Sequence, residues 1–342
     1  MTRFIVGVDG GTTKTIALIA DDQGHILGAG RGGTSNWTGP DVERPMRVVA
    51  ETVQQARRQA GLSLQDLELG VFALAGADWP EDYERREKVL RGHHLARQII
   101  VKNDALAGWR AGTRQRYGVG IVAGSSSNTC ITAPDGREYC FGYYVVYGGA
   151  VDMGQEALYA VLRAEDGRGA PTQLSQVVLK RLGYLNPEQL LKAMVNNEIG
   201  LTPIMALCPL IFAAADSGDE VACEIVIKQG LALAEYAAAA IRRFKMQALE
   251  FDVVLSGSLF KGQGSLLVDT ITQAIHRSAP RTRIVKANLE PAVGAVLLAY
   301  DALGLEVTEE IMKNLLGSAP GPAFYSTLDG GKVERHPRKN YD

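Results

Sequence analysis

The sequence predicts an α/β protein made of two similar domains, and three observations carry that expectation. Its 342 residues, 46% of them hydrophobic, are enough for two cores. The order β-β-β-α-β-α-β can be read twice along the chain. Each copy also places a Gly/Ser/Thr turn between its first two strands, so the two turns can face one another across a cleft.

The first copy opens with short strands at 3–8, 14–20 and 25–30, with Asp21-Asp-Gln-Gly24 as the second turn. Val42, Met46, Val49, Val53 and Ala56 recur at helical spacing over 41–60, and Gly61 ends that helix. A strand at Leu69 to Leu74, a helix opened by Pro80 and Glu81, and a strand at Gln98 to Val101 follow, then a short helical segment. The second copy starts with strands at 118–123, 128–133 and 138–145, linked by Ser125-Ser-Ser127 and Pro134-Asp-Gly136. Helices are expected over 151–164 and much of 172–244, the last of them long and apolar-faced near 218–244. A strand at Phe251 to Leu255, a helix at 266–278, a strand at Arg283 to Val285 and a closing helix from Pro291 to Leu303 complete the pattern. The expected division is a first domain of 1–115 joined by the closing helix 290–305, a second domain of 116–289, and an extension of 306–342. From about Gly317 the chain is rich in Gly, Pro and charge and reads as a tail or a loosely docked extension.

Composition narrows the function. The formal net charge is −2 with the charges well mixed, which gives no nucleic-acid-binding surface. Apolar runs fall well short of a membrane span, and the chain enters its first strand directly, without a signal peptide. Cys130, Cys140, Cys208 and Cys223 show no C-x-x-C spacing and read as reduced thiols of a cytoplasmic protein. His93-His94 lacks a third ligand at metal spacing.

The stretch Val6 to Thr15 carries the most chemistry. An apolar strand runs into Asp9, then Gly10, Gly11, Thr12, Thr13 and Lys14, then a second apolar strand. Glycines let successive N–H groups converge, and such a concavity binds anions. Thr12, Thr13 and Lys14 add hydroxyl and ammonium donors for phosphate oxygens, and Asp9 is suited to a hydrated Mg²⁺ beside them. No G-x-x-x-x-G-K-[ST] follows the strand and the next element is again a strand, so this is not a Walker loop. Gly124, Ser125, Ser126 and Ser127 form the corresponding turn of the second copy, giving two phosphate loops for one nucleotide. An ordinary Gly-rich hairpin turn is the plain reading of either loop alone.

With these loops placed, the chain resembles the sugar kinase, Hsp70 and actin superfamily, and more narrowly the BadF/BadG/BcrA/BcrD ATPase family with its N-acetylglucosamine kinase-like branch. The resemblance runs from about residue 4 to about 304. Asp9-Gly-Gly-Thr-Thr-Lys-Thr15 is similar to the first phosphate loop, Gly33-Thr-Ser-Asn-Trp37 to a sugar-contacting loop, and Ala73-Leu-Ala-Gly-Ala-Asp78 to a strand end lining the sugar pocket. Asn103-Asp-Ala105 follows the pattern of the catalytic base, and Ala123-Gly-Ser-Ser-Ser-Asn128 that of the second phosphate loop. Leu255-Ser-Gly-Ser-Leu259 is similar to the adenosine loop and Glu290-Pro-Ala-Val-Gly-Ala295 to the closing helix start.

The resemblance implies two ribonuclease H-like (actin-like ATPase) domains with a nucleotide and substrate cleft between them. It implies ATP and Mg²⁺ as cofactors and Asp104 as general base, the plain alternative for Asp104 being a helix N-cap. Asn36, Gly76, Asp104, Ser127 and Asn128 would contact the sugar, and Gly257, Ser258 and Gly294 the nucleotide. Trp37 and Trp79 follow cleft segments and could stack on a sugar face, though an isolated Trp more often packs. A small sugar-like substrate and a homodimer are expected on the same ground.

One segment departs from the family pattern. Where Gly-Asp-Glu-Gly-Ser is expected, Val145-Val146-Tyr147-Gly148-Gly149 stands, so Val146 occupies the slot of a sugar-accepting carboxylate. An unmatched hydroxyl in a closed site costs about 1–3 kcal/mol. Tyr143, Tyr144 and Tyr147 form an aromatic patch in the same segment. Three functions are therefore open: an ATP-dependent kinase of a sugar or amino sugar such as N-acetylglucosamine or glucosamine, an ATPase driving electron transfer, and a nucleotide-binding sensor with altered or no sugar substrate. The second would need a cluster-holding cysteine segment that this chain lacks.

Overall fold

The computed structural model describes residues 2–36, 41–262 and 264–326. These fall into two compact units, with the chain passing to the second between Arg116 and Tyr117 and returning to the first between Lys286 and Ala287.

The first unit starts with β1 (Phe4–Gly10), β2 (Thr15–Asp21) and β3 (Ile26–Gly32). It continues with α1 (Glu43–Ala60), β4 (Leu67–Leu74), α2 (Pro80–Gly92), β5 (Gln98–Asn103) and α3 (Asp104–Arg110). Its sheet order is β3-β2-β1-β4-β5. Ile16 to Ala20 on β2 are all buried, because α1 covers one face of the sheet and the returning C-terminal helix the other. That double cover is why β2 reads as an unbroken apolar run rather than an alternation. Gly61 closes α1 in the left-handed conformation, with φ 67°, as the sequence suggests.

Register fixes where the chemistry falls. β1 pairs parallel with β4, Gly10 opposite Leu74, and β4 pairs parallel with β5, Leu74 opposite Asn103. Three parallel strands thus end in one row, and the residues just past or at those ends are Asp9 to Gly11, Ala75 to Asp78, and Asp104.

The second unit comprises β6 (Gly118–Ala123), β7 (Ser127–Thr132) and β8 (Glu138–Cys140), then α4 (Ala150–Glu165), α5 (Leu174–Leu182) and α6 (Pro187–Val195). Next come α7 (Leu201–Met205), α8 (Cys208–Asp216), α9 (Glu220–Arg243), β9 (Asp252–Ser256), α10 (Leu266–His276) and β10 (Arg283–Lys286). Its order is β10-β9-β6-β7-β8. This is the same arrangement as in the first unit: an antiparallel three-strand meander with two parallel strands beside its first member. Both units are ribonuclease H-like.

Two expectations need correction. The strand expected over 138–145 stops at Cys140, because Gly142 turns the chain with φ 53° into a single 3₁₀ turn, Gly142–Tyr144. The Asn128 side-chain oxygen accepts from the Gly142 N–H at 3.0 Å and holds that turn. The segment after Gly317 is no loose tail as far as Ser326. The helices α11 (Pro291–Ala302), α12 (Glu309–Ser318) and α13 (Pro322–Tyr325) belong to the first unit, and Tyr325 is buried. Trp37 and the residues after Ser326 lie outside the described residues.

Among the described residues no single helix is long and apolar enough to cross a membrane. Gly294 sits where α11 crosses α3, and a Cβ there would overlap the Ala107 carbonyl oxygen. We expect Gly294→Ala to cost about 1–3 kcal/mol of stability through overpacking, read as a lower midpoint in urea at unchanged slope.

Candidate active site

In the first unit the loop Gly10 to Lys14 is closed by the Gly11 N–H donating to the Lys14 carbonyl at 2.9 Å. It is fastened on two sides: the Ala75 N–H donates to the Gly10 carbonyl at 2.8 Å, and the Ser35 N–H to the Gly11 carbonyl at 3.2 Å. Beneath it the fully buried Thr15 hydroxyl donates to the Gly33 carbonyl and to Ser35 Oγ, both at 2.8 Å. Thr12 and Thr13 remain exposed, and Lys14 is half-buried. The Asn36 amide donates to Thr12 Oγ1 at 3.3 Å, while its Oδ1 is buried with no hydrogen-bond partner. A buried acceptor of this kind is satisfied by any hydroxyl donor that reaches it.

Asp104 begins α3. The cap of that helix is Asn103, whose Oδ1 accepts from the Ala105 N–H at 2.9 Å, so the carboxylate of Asp104 is not the capping group that the plain reading made it. Asn103 also donates to the Ala77 carbonyl at 3.0 Å and to Asp78 Oδ1 at 2.9 Å. Those bonds tie the end of β5 to the turn after β4, where Gly76 takes φ 73°. Behind the turn lies Arg86 of α2, fully buried, donating to the Ala75 carbonyl at 3.0 Å.

These placements set the acidities. Burial, then the neighbouring Asp78, pushes the Asp104 carboxyl up to about 6, against the pull of the Ala105 N–H and Arg86. Burial and Asp104 push Asp9 up to about 7, with Glu290 adding to the rise and Lys14 opposing it. An ionised Asp104 adds to the rise of Asp9, for which burial is the larger cause. Asp78 is itself raised, by burial and Asp82.

Among the described residues no group of three or more His, Cys, Asp or Glu could hold a metal directly. Asp9, raised by burial beside a second carboxylate, fits a different arrangement, in which a divalent cation keeps most of its waters and a carboxylate touches it through them.

In the second unit the Gly124 N–H donates to the Ser126 carbonyl at 2.8 Å and shapes the turn between β6 and β7. The Gly124 and Ser125 carbonyls accept from the Ala150 and Val151 N–H groups at 2.8 and 3.2 Å, which pins the turn to the start of α4. Gly257, with φ 107°, lies against this turn: a Cβ there would overlap the Ala123 carbonyl, and Ser258 Oγ lies 3.6 Å from where a Gly124 Cβ would stand. Loop 124–127 and loop 257–258 are therefore together. Ser127 Oγ is buried without a partner. Asn128 Oδ1 is occupied by the Thr129 and Gly142 N–H groups. Gly294 belongs to the first unit, at the α11–α3 crossing.

The departing segment makes contacts within the second unit. Val146 is 75% exposed, and its N–H donates to the Tyr236 hydroxyl at 3.2 Å. Asp152, six residues on from Val146, accepts from the Gly148 and Gly149 N–H groups at 3.0 Å each and so caps α4. It does not replace the missing carboxylate. Tyr147 has its ring beneath Lys228 Nζ, 5.1 Å from the centroid, and its hydroxyl buried without a partner.

Glu290, Asp78 and Arg86 shape the acidities at the site and were not singled out from sequence as acting there. Asp78 and Glu290 fall inside quoted segments, but Arg86 gives no local signal, because only the packing of α2 buries it.

The chain thus combines two α/β units of like topology, each with a Gly/Ser/Thr turn between its first two strands, and a half-buried aspartate pair in the first unit. The model of the BadF/BadG/BcrA/BcrD ATPase family matches residues 6–299, and the chain belongs to that family. It is similar to an N-acetylmuramic acid/N-acetylglucosamine kinase of Clostridium acetobutylicum, 25% identical over 87% of this chain and 98% of that protein. It is also similar to an N-acetyl-D-glucosamine kinase of Dictyostelium discoideum, 26% identical over 88% and 98% of the two chains. Among solved structures, a ROK hexokinase from Thermus thermophilus has the same fold, with a TM-score of 0.57 at 17% identity, covering 88% of this chain and 99% of that one.

The raised Asp9 gives a stability prediction. Between its unfolded value of 3.8 and about 7 the folded protein holds a proton that the unfolded chain has lost, so stability falls as pH rises through that window. Asp9→Asn removes this penalty. Its melting temperature should exceed the parent's at pH 8 in metal-free buffer, with the gap closing by about pH 4, where both forms are neutral.

Proposed function

We propose that the protein is an ATP-dependent phosphotransferase acting on a sugar or amino sugar, with N-acetylglucosamine and glucosamine as the leading acceptors. The observation that carries this is Asp104: a carboxylate at the row of strand ends that leaves the capping of α3 to Asn103, feels the charges of Asp78 and Arg86, and is raised to about 6. A base with that acidity is largely ionised at neutral pH yet basic enough to accept an alcohol proton. The named activities of the relatives support the same reading.

In this reading the exposed Thr12 and Thr13 and the loop N–H groups of Gly10 and Gly11 take phosphate oxygens in the first unit. The 124–127 turn takes them in the second, and Gly257 and Ser258 receive the adenosine. Magnesium would neutralise phosphate charge, held at Asp9 through water. Asn36 Oδ1 accepts from a sugar hydroxyl, and Asp104 takes the proton of the hydroxyl that attacks. Phosphoryl transfer is mostly a matter of alignment and charge, so the chain's task is to hold these groups in line. A small-molecule acceptor, a homodimer and a cytoplasmic location belong to the same proposal.

The segment at Val146 favours an acceptor whose recognition does not depend on a carboxylate at that position. No observation favours the electron-transfer reading: Cys130 and Cys140 face each other across β7 and β8, and Cys208 is buried with its thiol pushed up to about 12.

The test is turnover of ATP against a panel of hexoses, amino sugars and N-acetylated sugars. Asp104→Asn should lower kcat by about 10²–10⁴-fold with little change in nucleotide affinity. The parent's kcat should fall on the acid side with an apparent pKa near 6, since the protonated carboxyl cannot accept. Absence of phosphorylated product across the panel from folded protein would remove the proposal.

A further inference from the structure

We propose that the C-terminal segment Pro322–Ser326 is a positioning element of the first phosphate loop, with the Tyr325 carbonyl holding the Lys14 ammonium in place. This rests on the reading of Gly10 to Lys14 as a phosphate loop, and extends it to a part of the chain outside the family match, which ends at residue 299.

Three observations carry it. First, Lys14 Nζ donates to the Tyr325 carbonyl oxygen, a contact 311 residues apart in sequence. Second, the segment is seated rather than draped. Arg31 on β3 donates from Nη1 to the Phe324 carbonyl at 2.8 Å and from Nη2 to the Ser326 carbonyl. Tyr325 is 6% exposed and meets Phe324 edge-on at 5.4 Å. Third, the helix before it is fixed to the same edge of the sheet: the Ile26 N–H donates to Ser318 Oγ at 2.8 Å, and the Asn314 amide to the Gln23 carbonyl at 2.8 Å.

The choice of acceptor matters. The Tyr325 carbonyl is uncharged, so this bond orients the ammonium while its charge still opposes the rise of Asp9. Lys14 also closes the loop through its own carbonyl, so restraining its side chain restrains the turn that presents Thr12 and Thr13. The Tyr325 phenol is buried without a hydrogen-bond partner, and burial with the nearby Glu290 keeps it neutral. Near Lys14 stand Asp9 on β1 and the Tyr325 carbonyl, and Glu290, at the start of α11, acts on both Asp9 and Tyr325.

The test uses full-length chains and calorimetric titration with magnesium and a non-hydrolysable ATP analogue. Tyr325→Ala keeps the carbonyl but removes the ring that seats it, and should weaken analogue binding about tenfold, the scale of one charge-assisted hydrogen bond. Lys14→Met should weaken it by a similar factor, and the double variant should bind no worse than Lys14→Met alone, because both changes break one device. Tyr325→Phe should recover most of the loss. Arg31→Gln, which loosens the segment from β3, should give a partial loss and serves if Tyr325→Ala does not fold. Unchanged binding by Tyr325→Ala and Arg31→Gln, tighter binding, or losses that multiply in the double variant would overturn the inference. A parent that binds the analogue but phosphorylates no sugar overturns the kinase reading alone. A parent that phosphorylates a sugar while Tyr325→Ala binds normally overturns this inference alone, and a parent that does not bind the analogue overturns both.

Discussion

Three parallel strands ending in one row are the constraint on which the first unit's chemistry depends. The β1–β4–β5 register brings Asp9, the turn around Gly76, and Asp104 to the same end of one sheet. That alignment forces two carboxylates into mutual repulsion within a partly desolvated site. The protein tolerates it through opposing charges placed behind and beside the pair: Arg86, fully buried under the β4 turn, and Lys14, tied to Tyr325. Strand ends of open α/β sheets are where ligands bind in general, since backbone groups there are free to point outward. Here two carboxylates at one row of strand ends carry a cost of like charge that a bound cation would relieve.

The second unit repeats the architecture but not the chemistry. Its loop at 124–127 sits at the equivalent hairpin, yet no aspartate ends β6. The turn is pinned instead to the start of α4, and Asp152 accepts from the N–H groups of Gly148 and Gly149. Replacement of an acidic segment by Val145 to Gly149 is therefore not compensated locally. The exposed Tyr143, Tyr144 and Val146 leave an apolar surface in its place.

Much of this was legible in the sequence, for identifiable reasons. Strands β1 and β2 declared themselves by unbroken apolar runs, α1 by its spacing and Gly61, and the loops by glycines where the chain must turn. The meander followed by two helix-linked strands was readable twice because duplication repeats every signal. What was not legible depends on contacts distant in sequence. The end of β8 at Cys140 is decided by an Asn128–Gly142 bond, which no local propensity reveals. Tyr325 lies in a Gly/Pro-rich stretch that locally suggests a tail, and only the partners on β3 and at Lys14 show otherwise. Arg86 resembles any charged helix residue until the packing of α2 buries it.

Asp9 and Asp104 hold their protons to higher pH than an ordinary aspartate, each raised by burial and by a neighbouring carboxylate. Carbon-detected carboxyl NMR across pH 3 to 9 on the metal-free protein measures this directly. Two side-chain carboxyls should titrate in the range of about 6 to 7, disappear in the Asp9→Asn/Asp104→Asn double variant, and move downward when magnesium and an ATP analogue are added. Titration of both near 4, with no response to magnesium nucleotide, would contradict the electrostatic basis of the site.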